Sequence, residues 1–304
     1  MQHQIITIND YDKGLVFQSN IFLSHISKTK SIATFKAYAN KISVFTKWWY
    51  DNPMQGGLKP HLESFRDHIN IRYKSARSKN LVLSVVRNLY RYLYEEGYLP
   101  ENFALHLKNF SVKSDEHAKS ALNEHQRLKI FEYMRNASGT YATRNRAIVI
   151  LSIANGLRAN EVANILIEDI TTKDGDKVIY LLRKGYSDKS CYTILSPETA
   201  NLIDELIGER TEGYLFVSQR GKGLASDSIS KIGKSIFREC GIDDKAITFH
   251  SLRHTFARLC LEANVNITQI MTALNHKHLS STQIYARSYD RHKKSAEKAI
   301  SVAF

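Results

Sequence analysis

Apolar residues recur every three or four positions over much of residues 1–110, with polar residues between them. This spacing places the apolar side chains on one face of a helix, so it predicts amphipathic helices. Residues 1–20 are mixed and give no motif. Asn, Gly and Pro residues mark where the periodic stretches stop, and helices are expected at about 31–51, 62–73 and 80–94. A compact helical domain is therefore predicted over residues 1–110.

Residues 111–120 are polar and lack an apolar stripe, which is typical of a linker. A second domain is predicted over 121–304. It combines helical segments with three short apolar runs that are separated by turn-like residues, as expected for a three-stranded antiparallel sheet. These runs are Ile167–Thr171, Val178–Leu182 and Cys191–Leu195. The predicted fold class is mainly α with a small antiparallel β-sheet, in two domains.

The formal net charge is +13, which favours a polyanionic partner, most often nucleic acid. Residues 1–110 hold 15 basic against 8 acidic residues, so both domains are basic. Several cations lie on predicted helices, where they either contact DNA phosphates or are ordinary solvated side chains. The candidates for DNA contact are Lys36, Lys41, Lys74, Arg77, Arg87, Lys231, Lys234 and Arg238.

Other classes of protein are disfavoured by the sequence. No run of about 18 apolar residues exists, and Met1 is not followed by a secretory signal, so a cytoplasmic protein without a membrane span is expected. Cys191, Cys240 and Cys260 lack paired spacing, which argues against disulfides and a zinc site. No metal and no cofactor are predicted.

The stretch that begins His250-Ser-Leu-Arg253-His254 suggests a phosphate site, because helix starts and guanidinium groups both bind anions. Tyr285 follows, beyond a cluster of hydroxyl residues that can cap a short helix. Among cationic groups a tyrosine can serve as the nucleophile that attacks phosphorus. The alternative is that Tyr285 is packed for bulk, as most aromatic residues are.

These residues, with Leu274-Asn275-His276 between them, resemble the signature of the tyrosine recombinases, also called phage-type integrases. The family's upstream motifs are present as Gly156-Leu-Arg158-Ala-Asn-Glu161 and, at a predicted hairpin tip, as Arg183-Lys184-Gly. The hairpin departs from the commoner family pattern, because Arg183 replaces a glycine and Lys189 stands later in the chain than the family's second lysine.

The resemblance implies a site-specific recombinase with a helical core-binding domain and a catalytic domain. Tyr285 would attack a DNA phosphodiester, form a 3′-phosphotyrosine and release a 5′-hydroxyl, and strand exchange would pass through a Holliday junction. The implied catalytic set is Arg158, Lys184, His250, Arg253, His276 and Tyr285. Lys189 is the rival for Lys184, and Glu161 either orients Arg158 or a histidine or forms a surface salt bridge.

Two other functions use similar features. A type IB-like topoisomerase has much the same catalytic residues but does not exchange partners, whereas a DNA-binding regulator needs the charge and not the catalytic set. For a recombinase, the resemblance implies double-stranded DNA with inverted-repeat core sites and a nucleoid-associated location. It also implies that the protein is a monomer when free and a homotetramer on DNA. A tail helix at about 291–304 carries an apolar stripe, and the resemblance implies that this stripe docks on a neighbouring protomer rather than on its own domain.

Overall fold

The computed structural model describes residues 8–54, 56–112, 120–183 and 188–275, without the side chains of residues 8–13. The chain divides into two compact units, which we call the N-terminal unit (Met1–Glu116) and the C-terminal unit (His117–Phe304). The predicted linker falls across this division, and most of it, residues 113–119, lies outside the described residues.

The N-terminal unit is built from four helices: α1 (Ile8–Thr29), α2 (Ile32–Asp51), α3 (Leu58–Arg72) and α4 (Ala76–Glu95). The last of these packs against the other three through the apolar stripe that runs from Val82 to Leu93. The three predicted helices are present, with Ser31 capping α2 through its hydroxyl. Helix α1 was not predicted.

Aromatic side chains pack against one another within the core of the N-terminal unit. The Phe45 and Phe65 rings pack edge to face with centroids 4.8 Å apart, and both side chains are fully buried. The His61 ring lies 4.4 Å from the Trp49 ring. Edge-to-face pairs of this kind add to the stabilisation that comes from area burial alone.

The C-terminal unit contains seven described helices and one sheet. The helices are α5 (Glu124–Asn136), α6 (Ala142–Ala154), α7 (Ala159–Ala163), α8 (Pro197–Ile207), α9 (Ser226–Glu239), α10 (Phe249–Glu262) and α11 (Ile267–Leu274). Helix α6 is buried over most of its surface and packs against α8 and α10, while α7 packs against α9. These contacts bring together the predicted catalytic residues that the structure describes, Arg158, His250 and Arg253.

The sheet has three antiparallel strands in the order β1 (Ile170–Lys173), β2 (Asp176–Leu181) and β3 (Cys191–Ile194). Ile170 pairs with Ile179, and Val178 pairs with Ile194. Residues 167–169 form a 3-10 helix rather than the start of the first strand. The predicted fold class, mainly α with a small antiparallel sheet, is confirmed.

Candidate active site

Two of the predicted catalytic arginines meet at one buried carboxylate. Arg158 directly precedes α7, and its Nη1 donates to Glu161 Oε1 at 2.7 Å while its backbone N–H donates to Glu161 Oε2 at 2.9 Å. Arg253 Nη1 lies 3.7 Å from the same Oε2. The Glu161 side chain is only 2 % exposed, so it is not part of a surface salt bridge. One carboxylate therefore orients Arg158 through hydrogen bonds and forms a longer ion pair with Arg253.

Arg253 is almost completely buried, with 1 % of its surface exposed. Its Nη1 donates to Gly156 O at 2.5 Å, and its Nη2 donates to Leu274 O. Because α10 begins at Phe249, Arg253 lies in the second turn of the helix rather than near its start. Arg158 differs, since 32 % of its side chain is exposed. Of the two arginines, Arg158 is the one that reaches the protein surface.

The main chain at Gly156 makes this arrangement possible. Gly156 has a φ of +66°, which favours glycine, and an added Cβ would lie 2.7 Å from Phe256 Cδ1 and 2.8 Å from Leu274 Cδ2. The absent side chain lets α10 and α11 pack closely against the end of α6. Its carbonyl oxygen is then in position to accept the hydrogen bond from Arg253.

His250 lies in the first turn of α10, and its ring centroid is 4.8 Å from that of His254. A cavity of about 670 Å³ is lined by both His250 and Arg158. The structure therefore brings four predicted residues, Arg158, Glu161, His250 and Arg253, to one region of the C-terminal unit.

Helix α9 adds positive charge to this cavity. Lys234 and Arg238, both predicted to contact DNA, line it, and Lys231 is exposed on the same helix. Lys245 also lines the cavity but was not singled out from the sequence, because it follows Asp243-Asp244 and gives no local excess of positive charge. Four cationic side chains, those of Arg158, Lys234, Arg238 and Lys245, therefore line the cavity beside His250, together with the carboxylates of Asp243 and Asp244.

The rival catalytic lysine, Lys189, is held in an ion pair. Its Nζ lies 2.5 Å from Asp169 Oδ2, an oxygen that also accepts the Leu166 backbone N–H at 2.8 Å. Only 11 % of the Asp169 side chain is exposed. This pairing gives Lys189 a structural role between β3 and the 3-10 helix. Lys184 lies outside the described residues, directly after Arg183 in the chain.

Arg183 was noted in the sequence only as a departure from a pattern. It is 3 % exposed, and its Nη1 donates to Ala273 O at 2.9 Å in the last turn of α11. Its burial had no signal in the sequence, because arginine is rarely buried unless it is paired. His276, Tyr285 and the predicted tail helix at 291–304 lie outside the described residues.

The predicted DNA contacts of the N-terminal unit are of two kinds. Lys36, Lys74 and Arg77 are exposed, and Lys41 is half-buried, with its ammonium 5.7 Å from the Tyr73 ring centroid. Arg87 instead bonds within its own unit, donating to Leu107 O at 3.0 Å and to Asn109 Oδ1 at 2.7 Å. Arg87 therefore fastens the chain that follows α4, and a DNA contact from it stays a prediction.

Metal clusters and membrane-spanning helices are both absent from the described residues. There, no group of three or more His, Cys, Asp or Glu side chains could hold a metal ion. None of the helices in the described ranges is both long and apolar enough to cross a membrane. Burial raises the pKa of the Cys240 and Cys260 thiols, which disfavours their thiolate forms.

Residues 120–292, more than half of the chain, match the family model described as "Phage integrase family". This chain belongs to the phage integrase family. Residues 20–97 of this integrase match the N-terminal SAM-like domain of phage integrases. The resemblance to tyrosine recombinases is thereby confirmed.

Curated relatives agree with this membership. The chain is 31 % identical over 273 residues to the tyrosine recombinase XerA of Pyrococcus furiosus, covering 88 % of this chain and 87 % of the relative. It is 26 % identical over 293 residues to XerC of Lactobacillus delbrueckii subsp. bulgaricus, covering 89 % and 94 %. The integrase is a site-specific recombinase that cuts and rejoins DNA by transesterification, and the topoisomerase alternative is not favoured.

Solved structures share the fold of this integrase. The post-cleavage complex of the XerH site-specific recombinase with its palindromic difH substrate matches with a TM-score of 0.81 and 20 % identity, over 98 % of this chain and 99 % of that one. A lambda integrase tetramer bound to a Holliday junction matches with a TM-score of 0.69 and 19 % identity, over 90 % and 76 %. The two-domain recombinase fold is therefore present in this chain.

Proposed function

We propose that Tyr285 is the nucleophile of this recombinase and that Arg158, Lys184, His250, Arg253 and His276 assist it. The observation that carries this proposal is the junction at Glu161, where one buried carboxylate contacts both Arg158 and Arg253. Arg158, which reaches the surface, is fixed in advance for contact with a phosphate, and Arg253 lies buried beside it and adds positive charge. The adjoining cavity, with His250 in its wall, provides room for the reacting group.

Each residue has one part in the cleavage step. The Tyr285 hydroxyl oxygen forms a bond to phosphorus as His250 accepts its proton, since a histidine pKa lies close to neutral. The bond between phosphorus and the 5′ oxygen breaks, and its electron pair stays with that oxygen. Lys184 gives this oxygen a proton. A 3′-phosphotyrosine and a 5′-hydroxyl result, and the reverse reaction joins the strand to a new 5′-hydroxyl.

The arginines stabilise the charge that grows on the phosphate during this step. Arg158, Arg253 and His276 hold the non-bridging oxygens, and one such donor contributes about 3 to 4 kcal/mol by comparison with oxyanion holes. The bonds from Arg253 to Gly156 O and Leu274 O fix its guanidinium plane before DNA binds. Lys184 is preferred to Lys189 as the proton donor because Lys189 is paired with Asp169.

The DNA is double-stranded and carries inverted-repeat core sites in this proposal. Relatives support this, because the XerH complex holds a palindromic substrate and lambda integrase is a tetramer on a Holliday junction. Residues 1–110 act as the core-binding domain and residues 121–304 as the catalytic domain, joined by a linker at 111–120. Lys36, Lys41, Lys74, Arg77, Lys231, Lys234 and Arg238 contact the phosphates.

Assembly of the tetramer depends on the predicted tail helix at 291–304, whose apolar stripe docks on a neighbouring protomer. The free protein is a monomer, and strand exchange passes through a Holliday junction. The protein acts on the chromosome in the cytoplasm, associated with the nucleoid.

Covalent trapping tests this function. The protein is incubated with nicked host and mobile-element DNA fragments and then denatured, and the DNA that stays attached is sequenced. We expect adducts at discrete inverted-repeat sites, and we expect none with Tyr285→Phe, which still binds DNA. Adducts at scattered sites would instead indicate a topoisomerase. Unchanged adduct formation by Tyr285→Phe would rule out Tyr285 as the nucleophile.

A further inference from the structure

We propose that Arg183 is a positioning residue for the step in which the 5′ oxygen leaves and is protonated. Arg183 serves this step by holding the start of the chain between β2 and β3, residues 182–190, against the end of α11. The proposal rests on the proposed role of Lys184 as the proton donor, because Lys184 directly follows Arg183 in the chain. Nothing in the recombinase pattern requires an arginine here, since glycine is commoner at this position.

The first observation is that Arg183 turns away from solvent at a place where the chain is at the surface. The preceding residue, Leu182, is 41 % exposed, whereas Arg183 is 3 % exposed. Burying a guanidinium is costly unless it is paired or hydrogen-bonded. The bond from Arg183 Nη1 to Ala273 O, at 2.9 Å, therefore fastens this point of the chain firmly.

The second observation concerns what Arg183 binds. The carbonyls in the last turn of a helix have no partner within the helix, and the negative end of the helix dipole favours cations there. In α11 the two successive carbonyls of Ala273 and Leu274 accept bonds from Arg183 and Arg253 respectively. The end of α11 therefore connects Arg183 to the arginine pair at Glu161.

This connection has a consequence for catalysis. Arg253 is proposed to hold the phosphate, and Arg183 sets where the β2–β3 connection begins relative to Arg253. When the Arg183 bond is lost, the phosphate is still held, but the 5′ oxygen is protonated less often as the bond to phosphorus breaks. A purely structural Arg183 would instead affect every substrate equally.

The test compares two leaving groups at the site mapped by covalent trapping. One nicked duplex carries the ordinary phosphodiester, and the other carries sulfur in place of the bridging 5′ oxygen. A thiol has a far lower pKa than a hydroxyl, so a thiolate leaves without a proton donor. Single-turnover cleavage is measured for the wild type and for Arg183→Met, which retains an apolar stem without donors.

We expect Arg183→Met to cleave the ordinary duplex about 10- to 100-fold more slowly, which is at or below the lower end of the range for loss of a proton donor, because Arg183 only positions the donor. On the sulfur duplex its rate should return to within about 3-fold of the wild-type rate, because proton donation no longer matters there. Equal slowing on both duplexes, or no slowing on either, would overturn the proposal.

Arg210→Met is the matched control. Arg210 also donates to backbone carbonyls, those of Leu206, Tyr214 and Leu215 among them, but none of these belongs to the candidate site. Arg210→Met should not slow cleavage of the ordinary duplex in a way that the sulfur duplex restores. A defect of that kind in Arg210→Met would overturn the proposal. Thermal unfolding is recorded for each variant. If Arg183→Met does not fold, Arg183→Lys, which retains a cationic donor, is judged by the same ratio of rates.

Two further variants separate this proposal from the function beneath it. Lys184→Ala should show the same sulfur rescue, and Tyr285→Phe should cleave neither duplex. Equal slowing of Lys184→Ala on both duplexes would reject Lys184 as the proton donor, and cleavage by Tyr285→Phe would reject the nucleophile. Rescue of Lys184→Ala without rescue of Arg183→Met would reject only the role of Arg183.

Discussion

The interiors of the two units differ in the charge that they bury. Among the described residues, the buried polar side chains of the N-terminal unit are Gln18, Ser19 and His61, within a core of aromatic and aliphatic groups. The C-terminal unit buries Glu161, Arg183 and Arg253, a carboxylate and two guanidinium groups. Buried ion pairs contribute little net stability compared with well-packed apolar groups. The proposed function accounts for this difference, because it gives the buried charges of the C-terminal unit a part in chemistry rather than in folding.

The largest effect on this difference between the units is expected from removing the Glu161 carboxylate. Glu161→Ala would leave Arg253 buried without its acidic partner, and we expect a loss of about 3 to 5 kcal/mol in the free energy of unfolding. DNA cleavage should be abolished as well. Urea denaturation and single-turnover cleavage measure the two effects.

Glu101→Ala is the matched control for this change. Glu101 pairs with Lys59 in the N-terminal unit, but both side chains are about half exposed. The expected loss there is below about 1 kcal/mol, as for other surface pairs. Equal losses from the two variants would contradict the special status of Glu161.

The second prediction concerns the close packing that positions Arg253. Gly156→Ala should lose about 1 to 3 kcal/mol from overpacking, because its Cβ would meet Phe256 and Leu274. Cleavage should fall too, since Gly156 O holds Arg253. The measurements are thermal unfolding and single-turnover cleavage.

Gly241→Ala separates backbone strain from this contact. Gly241 has a φ of +69°, close to that of Gly156, but an added Cβ would meet nothing within 4 Å. We expect a loss of about 1 kcal/mol from strain and no change in cleavage rate. If Gly156→Ala lost no more stability and no more cleavage activity than Gly241→Ala, the close contact at Gly156 would be unimportant.

The third prediction addresses the exposed charges beside the cavity. Lys234→Ala and Arg238→Ala should each weaken DNA binding uniformly across sequences and should lower the slope of affinity against salt concentration by about 1. Arg87→Ala should change unfolding rather than the salt slope, because Arg87 bonds to Leu107 and Asn109. DNA-binding titrations at several salt concentrations measure the affinity and its salt slope, and urea denaturation measures unfolding. A slope change for Arg87→Ala alone would show that Arg87, rather than Lys234 or Arg238, contacts the DNA.

The smallest effect on the free energy of unfolding is expected at Glu262, whose carboxylate is not part of the contacts around Glu161. Burial alone would raise the pKa of Glu262, but hydrogen bonds from Arg258 and Arg127 outweigh it and lower the pKa. A lowered pKa in the folded state adds stability above the unfolded pKa of about 4.3, and this stability is lost as the pH falls through the folded value.

The free energy of unfolding of Glu262→Gln at pH 7 should therefore be lower than that of the wild type, by at most about 1 kcal/mol. The difference should vanish in acid, below the folded pKa of Glu262. Urea denaturation across this pH range measures it. A difference that grows as the pH falls would have the wrong sign for this account.

Local patterns predicted most of the helices, because an amphipathic stripe and its caps lie within one stretch of sequence. Helix α1 was missed because its buried residues Leu15, Phe22 and Ile26 are accompanied by the exposed apolar residues Val16 and Phe17, which blur the stripe. Residues 214–217 form isolated bridges rather than a strand, from Tyr214 to Leu166 and from Val217 to Gly223. The pairing of Tyr214 with Leu166 depends on a distant residue and has no local signal.

The candidate site shows the same limit. Motif spacing singled out Arg158, His250 and Arg253, and Glu161 was expected to orient Arg158. Its approach to Arg253, and the bonds of Arg253 and Arg183 to carbonyls of α11, are contacts between residues far apart in sequence. Since every residue carries a carbonyl, the sequence could not indicate which ones would accept these bonds.

The measurement that tests the central claim most directly is cleavage of a neutral phosphate analogue by Arg158→Ala. If the arginines joined at Glu161 neutralise phosphate charge, a methylphosphonate at the cleaved position should need Arg158 far less. We predict a loss of about 100-fold or more on the ordinary phosphodiester and a loss of less than about 5-fold on the methylphosphonate. Equal losses on the two duplexes would contradict the account.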